Sequence, residues 1–157
     1  MELKVDPIGS VEKPGDHWQI VIHPEYRPAL RGLSAFSHLM VLWWADGFDS
    51  PDYRSLRLSG KTYTRGPDEL GVLATRSPIR PNPLMVTMVR LTGYLPDEGI
   101  LLIGQIDARQ GSPVVDLKPY HPSADRIRDV IMPEWCAHWP MWYEESHRFD
   151  WAAEFNF

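Results

Sequence analysis

The feature that most limits how this 157-residue chain can fold is the density of short β-rich runs in its first 120 residues, each closed by a turn signal. Such runs fall at Pro7–Glu12, Trp18–Ile22, Ser37–Ala45, Leu70–Thr75, Leu84–Leu95, Ile100–Ala108 and Pro113–Leu117. The turn signal Leu95-Pro-Asp-Glu-Gly99 predicts that its flanking runs form an antiparallel hairpin. Helical periodicity is scarce there. One short helical turn is predicted over Pro24–Leu33, with Gly32 near its end. Strands this dense, with few helices between them, predict an all-β sandwich or barrel rather than a parallel sheet with helical crossovers.

The length suits one domain with a sizeable core. A hydrophobic content of 43% and a charged content of 24% are ordinary for a soluble globular chain. Cys136 is the lone cysteine, which excludes an intramolecular disulfide and a multi-cysteine zinc site. It suits a reducing compartment, and a cytoplasmic protein is expected. No secretory pattern opens the chain, and the longest apolar stretch, Leu39–Ala45, is too short for a membrane span. The net charge of −5 argues against a general nucleic-acid coat. Its distribution is uneven: Tyr53–Arg90 holds seven cations against two anions, whereas from Pro119 onward seven anions face three cations. The basic middle is either a local anion-binding face or charge scattered around a barrel.

Within that middle, residues 74–91 read ATRSPIRPNPLMVTMVRL. Ser77, Arg80 and Asn82 each precede a proline and are pushed toward extended backbone, so Arg76 and Arg80 ride on a semi-rigid ribbon that runs into a strand. Such a ribbon is either a binding loop or a stiffened connection with solvated arginines. The second informative stretch is IDARQGSPVVDLKPYHPSADR, residues 106–126. A strand ends at Asp107, turns through Gln110-Gly111 and resumes, with Asp116, Lys118 and Tyr120 on one face at period two. An acid, an amine and a phenol facing one way can hold or deprotonate a substrate. The same pattern also describes an Asp–Lys ladder facing solvent.

Several chemistries are missing. There is no G-x-G-x-x-G, no G-x-x-x-x-G-K-[ST] and no H-E-x-x-H, and the six histidines do not pair at ligand spacing, so no metal site is expected. Trp135, Trp139 and Trp142 recur at i, i+4 and i+7, a helical spacing that Pro140 should break or kink. Four of the seven tryptophans lie in the last 23 residues, either as a cap over a barrel opening or as anchors of a subunit interface.

Taken together, ATRSPIRPNP and the 106–126 stretch resemble the TsaA-like (TrmO) family, whose motifs read approximately ATRSPxRPNPIGLS and DGTPVLDIKPY. ALRGLSAFSHLMVLWW, residues 29–44, is similar to a third family segment, and the resemblance spans about residues 7–125. It implies a single-sheeted antiparallel β-barrel that binds S-adenosylmethionine, as a homodimer, and methylates N6 of threonylcarbamoyl-adenosine beside the tRNA anticodon. By the same resemblance, Arg76 contacts the cofactor and Arg80, Pro81 and Asn82 shape the same wall. The strand end Trp44, Ala45 and Asp46 corresponds to a further cofactor-contacting position. The turn Asp107, Ala108, Arg109, Gln110, Gly111, Ser112 and Pro113 would supply main-chain groups and a carboxylate. Asp116, Lys118 and Tyr120 match the DIKPY positions and are the candidate catalytic residues.

The chain also departs from the family pattern. A basic loop after the first strand is absent, and Met85 stands where the motif has glycine. These departures keep two other readings open: a small-molecule methyltransferase, and a non-catalytic barrel that binds an adenosyl ligand or a partner. The expected organisation is a barrel domain over residues 1–130 and a Trp-rich helical or irregular extension over 131–157, packed on it.

Overall fold

A computed structural model describes residues 4–156. Its strands are β1 (Gly9–Glu12), β2 (Trp18–Ile22), β3 (His38–Trp44), β4 (Leu58–Ser59), β5 (Leu70–Gly71), β6 (Leu84–Leu95), β7 (Ile100–Ile103) and β8 (Pro113–Pro119). Along β3 every second residue is buried, with Leu39 and Val41 fully enclosed and Trp43 nearly so. That alternation places one face of the strand inside. Val11, Ile20, Val89, Leu101 and Val114 join them from the other strands, each contributing about 1.5–3 kcal/mol of apolar burial.

All pairings are antiparallel, and the ring runs β1-β2-β7-β6-β3-β8. Gly9 and Ser10 of β1 pair with Val114 and Pro113 of β8, which closes it into a barrel. β6 serves two neighbours because it bends. Residues 84–90 pair with β3, a register shift falls between Leu91 and Gly93, and the remainder pairs with β7. The hairpin expected at Leu95–Gly99 is present, and Gly99 has φ 69°, where a side chain is strained. The barrel is one closed sheet, and a separate two-stranded sheet, β4-β5, lies in the long connection between β3 and β6.

Several expected elements are shorter or broken. Of the run Leu70–Thr75 only Leu70–Gly71 is strand; Val72–Ala74 tightens into a 3-10 turn, closed by the Thr75 N–H and hydroxyl on the Val72 carbonyl. β7 stops at Ile103, and Ile106 and Ala108 reach the core from an irregular segment. The turn over Pro24–Leu33 becomes two 3-10 pieces, Pro24–Leu30 and Leu33–Ala35, separated at Gly32 with φ 86°. No single helix carries Trp135, Trp139 and Trp142. A 3-10 turn Glu134–Cys136 and the short helix Tyr143–Ser146 flank Pro140, which has no N–H to continue a helix.

The tryptophans separate accordingly. Trp135 stacks on Tyr63 at 4.8 Å and Trp139 meets the same ring edge-on at 5.4 Å. Trp142 instead lies under Arg126. The aromatic cluster therefore anchors the C-terminal segment on the β3–β6 connection. Backbone bonds from Thr64 to Glu154 and from Asn156 to Thr62 extend that seam. Among the described residues no helix is long and apolar enough to cross a membrane.

Candidate functional site

β3 ends, β6 begins and β8 begins at the same rim of the barrel, because β3 runs antiparallel to both neighbours. The segments beyond those strand ends therefore meet. Ala45, buried at the end of β3, donates its N–H to the Pro83 carbonyl at 2.8 Å. Asp46 accepts the Ser112 hydroxyl at 3.2 Å, across 66 residues of sequence. Ser112 is itself buried and also accepts the Arg109 N–H at 3.2 Å, which closes the 109–112 turn around Gly111. Arg109 then lies over Phe48 at 5.4 Å, against Gly47, where a Cβ would come within 2.6 Å of the guanidinium. Ala108 is buried beneath this turn, Pro113 is half-buried, and Asp107 and Gln110 are exposed.

The proline ribbon is held by a residue that no motif marks. Arg54 donates Nε to the Pro81 carbonyl at 2.8 Å, Nη2 to Asn82 Oδ1 at 3.2 Å, and Nη1 to Asp49 Oδ1 at 2.9 Å. Asp49 accepts the Trp44 indole N–H at 2.9 Å on its other oxygen. One guanidinium thus ties the ribbon to the end of β3. Arg80 folds back on its own loop and donates to the Thr75 and Ser77 carbonyls, so it braces the ribbon from within.

Arg76 sits at a different kind of place. Over residues 84–90 the side of β6 away from β3 has no strand partner among the described residues; side chains cover the Val86 and Met88 carbonyls, and the Gly104 N–H covers that of Arg90. Arg76 Nη2 donates to the Val86 carbonyl at 3.0 Å, and the Tyr143 hydroxyl donates to the Met88 carbonyl two residues on. Burial raises the Tyr143 pKa, and the Asp107 and Glu144 charges raise it further, so the phenol stays protonated and Asp107 belongs to the same neighbourhood. Tyr63 links this corner to the aromatic cluster: burial raises its pKa, and the Arg76 backbone opposes part of that shift.

The candidate catalytic trio is spread along β8, and the Tyr120 N–H continues the ladder to the His38 carbonyl at 3.0 Å. Asp116 and Lys118 pair at 2.7 Å on the outer face of β8, and Asp116 also accepts the Leu117 N–H. The hydrogen bond and charge of Asp116 raise the Lys118 pKa, which keeps it an ammonium. Tyr120 lies past the far end of β8, roughly 13 Å along the strand from Asp116. There it lines a cavity with His38 and Met88. Met85, partly buried, packs against the barrel core opposite Trp43. Among the described residues no group of histidine, cysteine and carboxylate side chains is arranged to hold a metal.

With this geometry in view, residues 3–126 match the family model of the tRNA-methyltransferase O N-terminal domain. The chain belongs to that family. A Methanothermobacter thermautotrophicus protein described as a probable S-adenosyl-L-methionine-binding protein is 35% identical over 141 residues, covering 81% of this chain and 96% of its own. The Escherichia coli tRNA (adenine(37)-N6)-methyltransferase is 36% identical over 128 residues, covering 78% of this chain. A crystal structure of TrmO from Pseudomonas aeruginosa superposes with a TM-score of 0.64 at 28% identity, covering 83% of this chain. The chain spans 52% of the Escherichia coli enzyme and 61% of the Pseudomonas chain.

The TrmO-domain match stops before the C-terminal segment, yet that segment supplies Tyr143 to the corner that holds Arg76. Sequence reasoning missed Tyr143 and Arg54 alike. Membership of the basic Tyr53–Arg90 stretch was the one signal for Arg54, and nothing local marks Tyr143.

Proposed function

We propose that this protein is an S-adenosylmethionine-dependent methyltransferase that acts on N6 of threonylcarbamoyl-adenosine beside the tRNA anticodon. The observation that carries this reading is the meeting of segments 44–46, 80–83 and 108–113 at one rim, in a chain of the TrmO family. The donor set suits a zwitterionic cofactor. Asp46 and Asp107 offer carboxylates for its cationic groups, Arg76 and Arg109 offer cations for its carboxylate, and the Trp44 ring offers a flat apolar face. Bound there, S-adenosylmethionine supplies an electrophilic methyl group on sulfur. The protein's task is then to hold donor and acceptor in line, which a proline-stiffened ribbon clamped by Arg54 is suited to do.

The attacking nitrogen must lose a proton. Lys118 remains protonated, so of the three candidates Asp116, oriented by Lys118, and Tyr120 are the groups able to accept it. Asp116, Leu42 and Val86 form one row across β8, β3 and β6, which sets the carboxylate on the same outer face as the strand residues beside Arg76.

The test is transfer of a tritiated methyl group to tRNA lacking the modification. No transfer at saturating cofactor overturns the tRNA assignment, and no cofactor binding by calorimetry overturns the methyltransferase reading. Arg76→Ala is expected to weaken cofactor binding about tenfold or more; unchanged binding removes Arg76 from the site. A second reading, a small-molecule acceptor, is favoured by the net charge of −5 and predicts transfer that is insensitive to salt. The reading extends to a homodimer in the cytoplasm, built from a barrel unit over residues 1–130 and an extension over 131–157. A monomer by light scattering would overturn the dimer.

A further inference from the structure

Between the outer face of the barrel and the C-terminal segment lies a cavity of about 730 Å³. Cavities of roughly 300–1,000 Å³ hold small organic ligands. One wall is formed by His38, Met88 and Tyr120, and the other by Arg126, Trp142 and Tyr143. Trp142 is 53% exposed and carries Arg126 at 5.0 Å from its ring centre, so an aromatic surface remains available beside a cation. The remaining charges nearly cancel: Arg126 and Arg128 stand against Asp125, Asp129 and Glu144, and Asp125 already accepts the His121 N–H. A lining of aromatic rings and methionine with little net charge suits a flat, neutral ring system rather than a phosphate cluster.

We propose that this cavity receives the nucleobase of the methyl acceptor, stacked on Trp142. The inference rests on the methyltransferase reading and adds to it a site built by a segment outside the family match. Its position supports the assignment. Tyr143 lines the cavity and caps the Met88 carbonyl, while Arg76 caps the Val86 carbonyl next along the same strand edge. A base held here therefore lies beside the corner assigned to the methyl donor. The same ring chemistry is presented by a free nucleoside and by an unpaired nucleotide of RNA.

The experiment titrates the full chain with adenosine, and separately with a short single-stranded oligoribonucleotide. S-adenosylhomocysteine is held saturating so that the donor's own adenine site is filled. Saturable binding is expected, weakened about tenfold or more by Trp142→Ala and restored by Trp142→Phe, with donor affinity unchanged in both variants. Trp142-dependent binding that is insensitive to salt assigns the base to a free nucleoside; Trp142-dependent oligonucleotide binding that weakens as salt rises assigns it to RNA. Binding indifferent to Trp142→Ala, or no binding of either probe while the donor binds, overturns the pocket and leaves the methyltransferase reading intact. Trp142-dependent adenosine binding with no donor binding does the reverse.

Discussion

Arg54 reaches a different partner with each of Nε, Nη1 and Nη2, and two of those partners lie on the proline ribbon. A planar fork can do this where a point charge cannot. Arg54→Lys is therefore expected to behave like Arg54→Ala: cofactor affinity falls several-fold in calorimetry, while stability changes by about 1 kcal/mol or less, since the pair with Asp49 is well exposed. Rescue by lysine would show that charge alone matters at this position. Met85 shows what a single substitution in the motif does to packing. In the motif comparison it replaces a glycine at a presumed ligand wall, and in the structure it is partly buried and packs against the barrel core.

At the scale of elements, glycines and hydrogen bonds decide where strands turn and what they hold. Gly99 closes the β6–β7 hairpin at φ 69°, and a Cβ there would stand 2.6 Å from Arg27 Nε. Gly99→Ala is expected to cost about 1–2 kcal/mol from the left-handed backbone, read as a lower denaturation midpoint with an unchanged slope. The C-terminal segment has its own fastening. Glu154, 5% exposed, accepts the His138 ring at 2.8 Å and the Trp139 indole N–H at 3.1 Å. The hydrogen bond from His138, then that from Trp139, lowers its pKa below the usual 4.5. A lowered carboxylate pKa stabilises the fold above the unfolded value and ceases to do so as pH falls through the folded one. Below about pH 4.5 wild type should thus lose stability with falling pH more steeply than Glu154→Gln, with tryptophan fluorescence following the release of Trp139. Parallel pH profiles would remove Glu154 from this role.

Over the whole molecule, a closed barrel carries a second layer built on Tyr63, which brings together Trp135, Trp139 and Phe155. That layer also contributes the hydroxyl of Tyr143 to the open edge of β6. Ending the chain at residue 130 should leave antiparallel β circular dichroism in place, because the barrel pairings all lie before that point. It should lower Tm by about 5–10 °C, given a few kcal/mol of aromatic burial at about 2–4 °C each. Loss of all β signal would show that barrel and extension fold as one unit.

The sequence by itself determined the strand class of the fold, the β6–β7 hairpin and the segments that converge on the rim. Those depend on local signals: alternation along Leu39–Trp43, a turn residue at Gly99, and prolines that stiffen 78–83. Element lengths were less legible. At Leu70–Thr75 and Ile100–Ala108 the apolar pattern continues after the backbone has turned, because a buried residue on a bend alternates much as one on a strand does. Only the tertiary structure decided what clamps the ribbon and what caps the edge of β6. Arg54 and Pro81 lie 27 residues apart, and Tyr143 and Met88 lie 55 apart. Contacts over such separations come from the closure of the ring and the docking of the tail, and no local pattern encodes them.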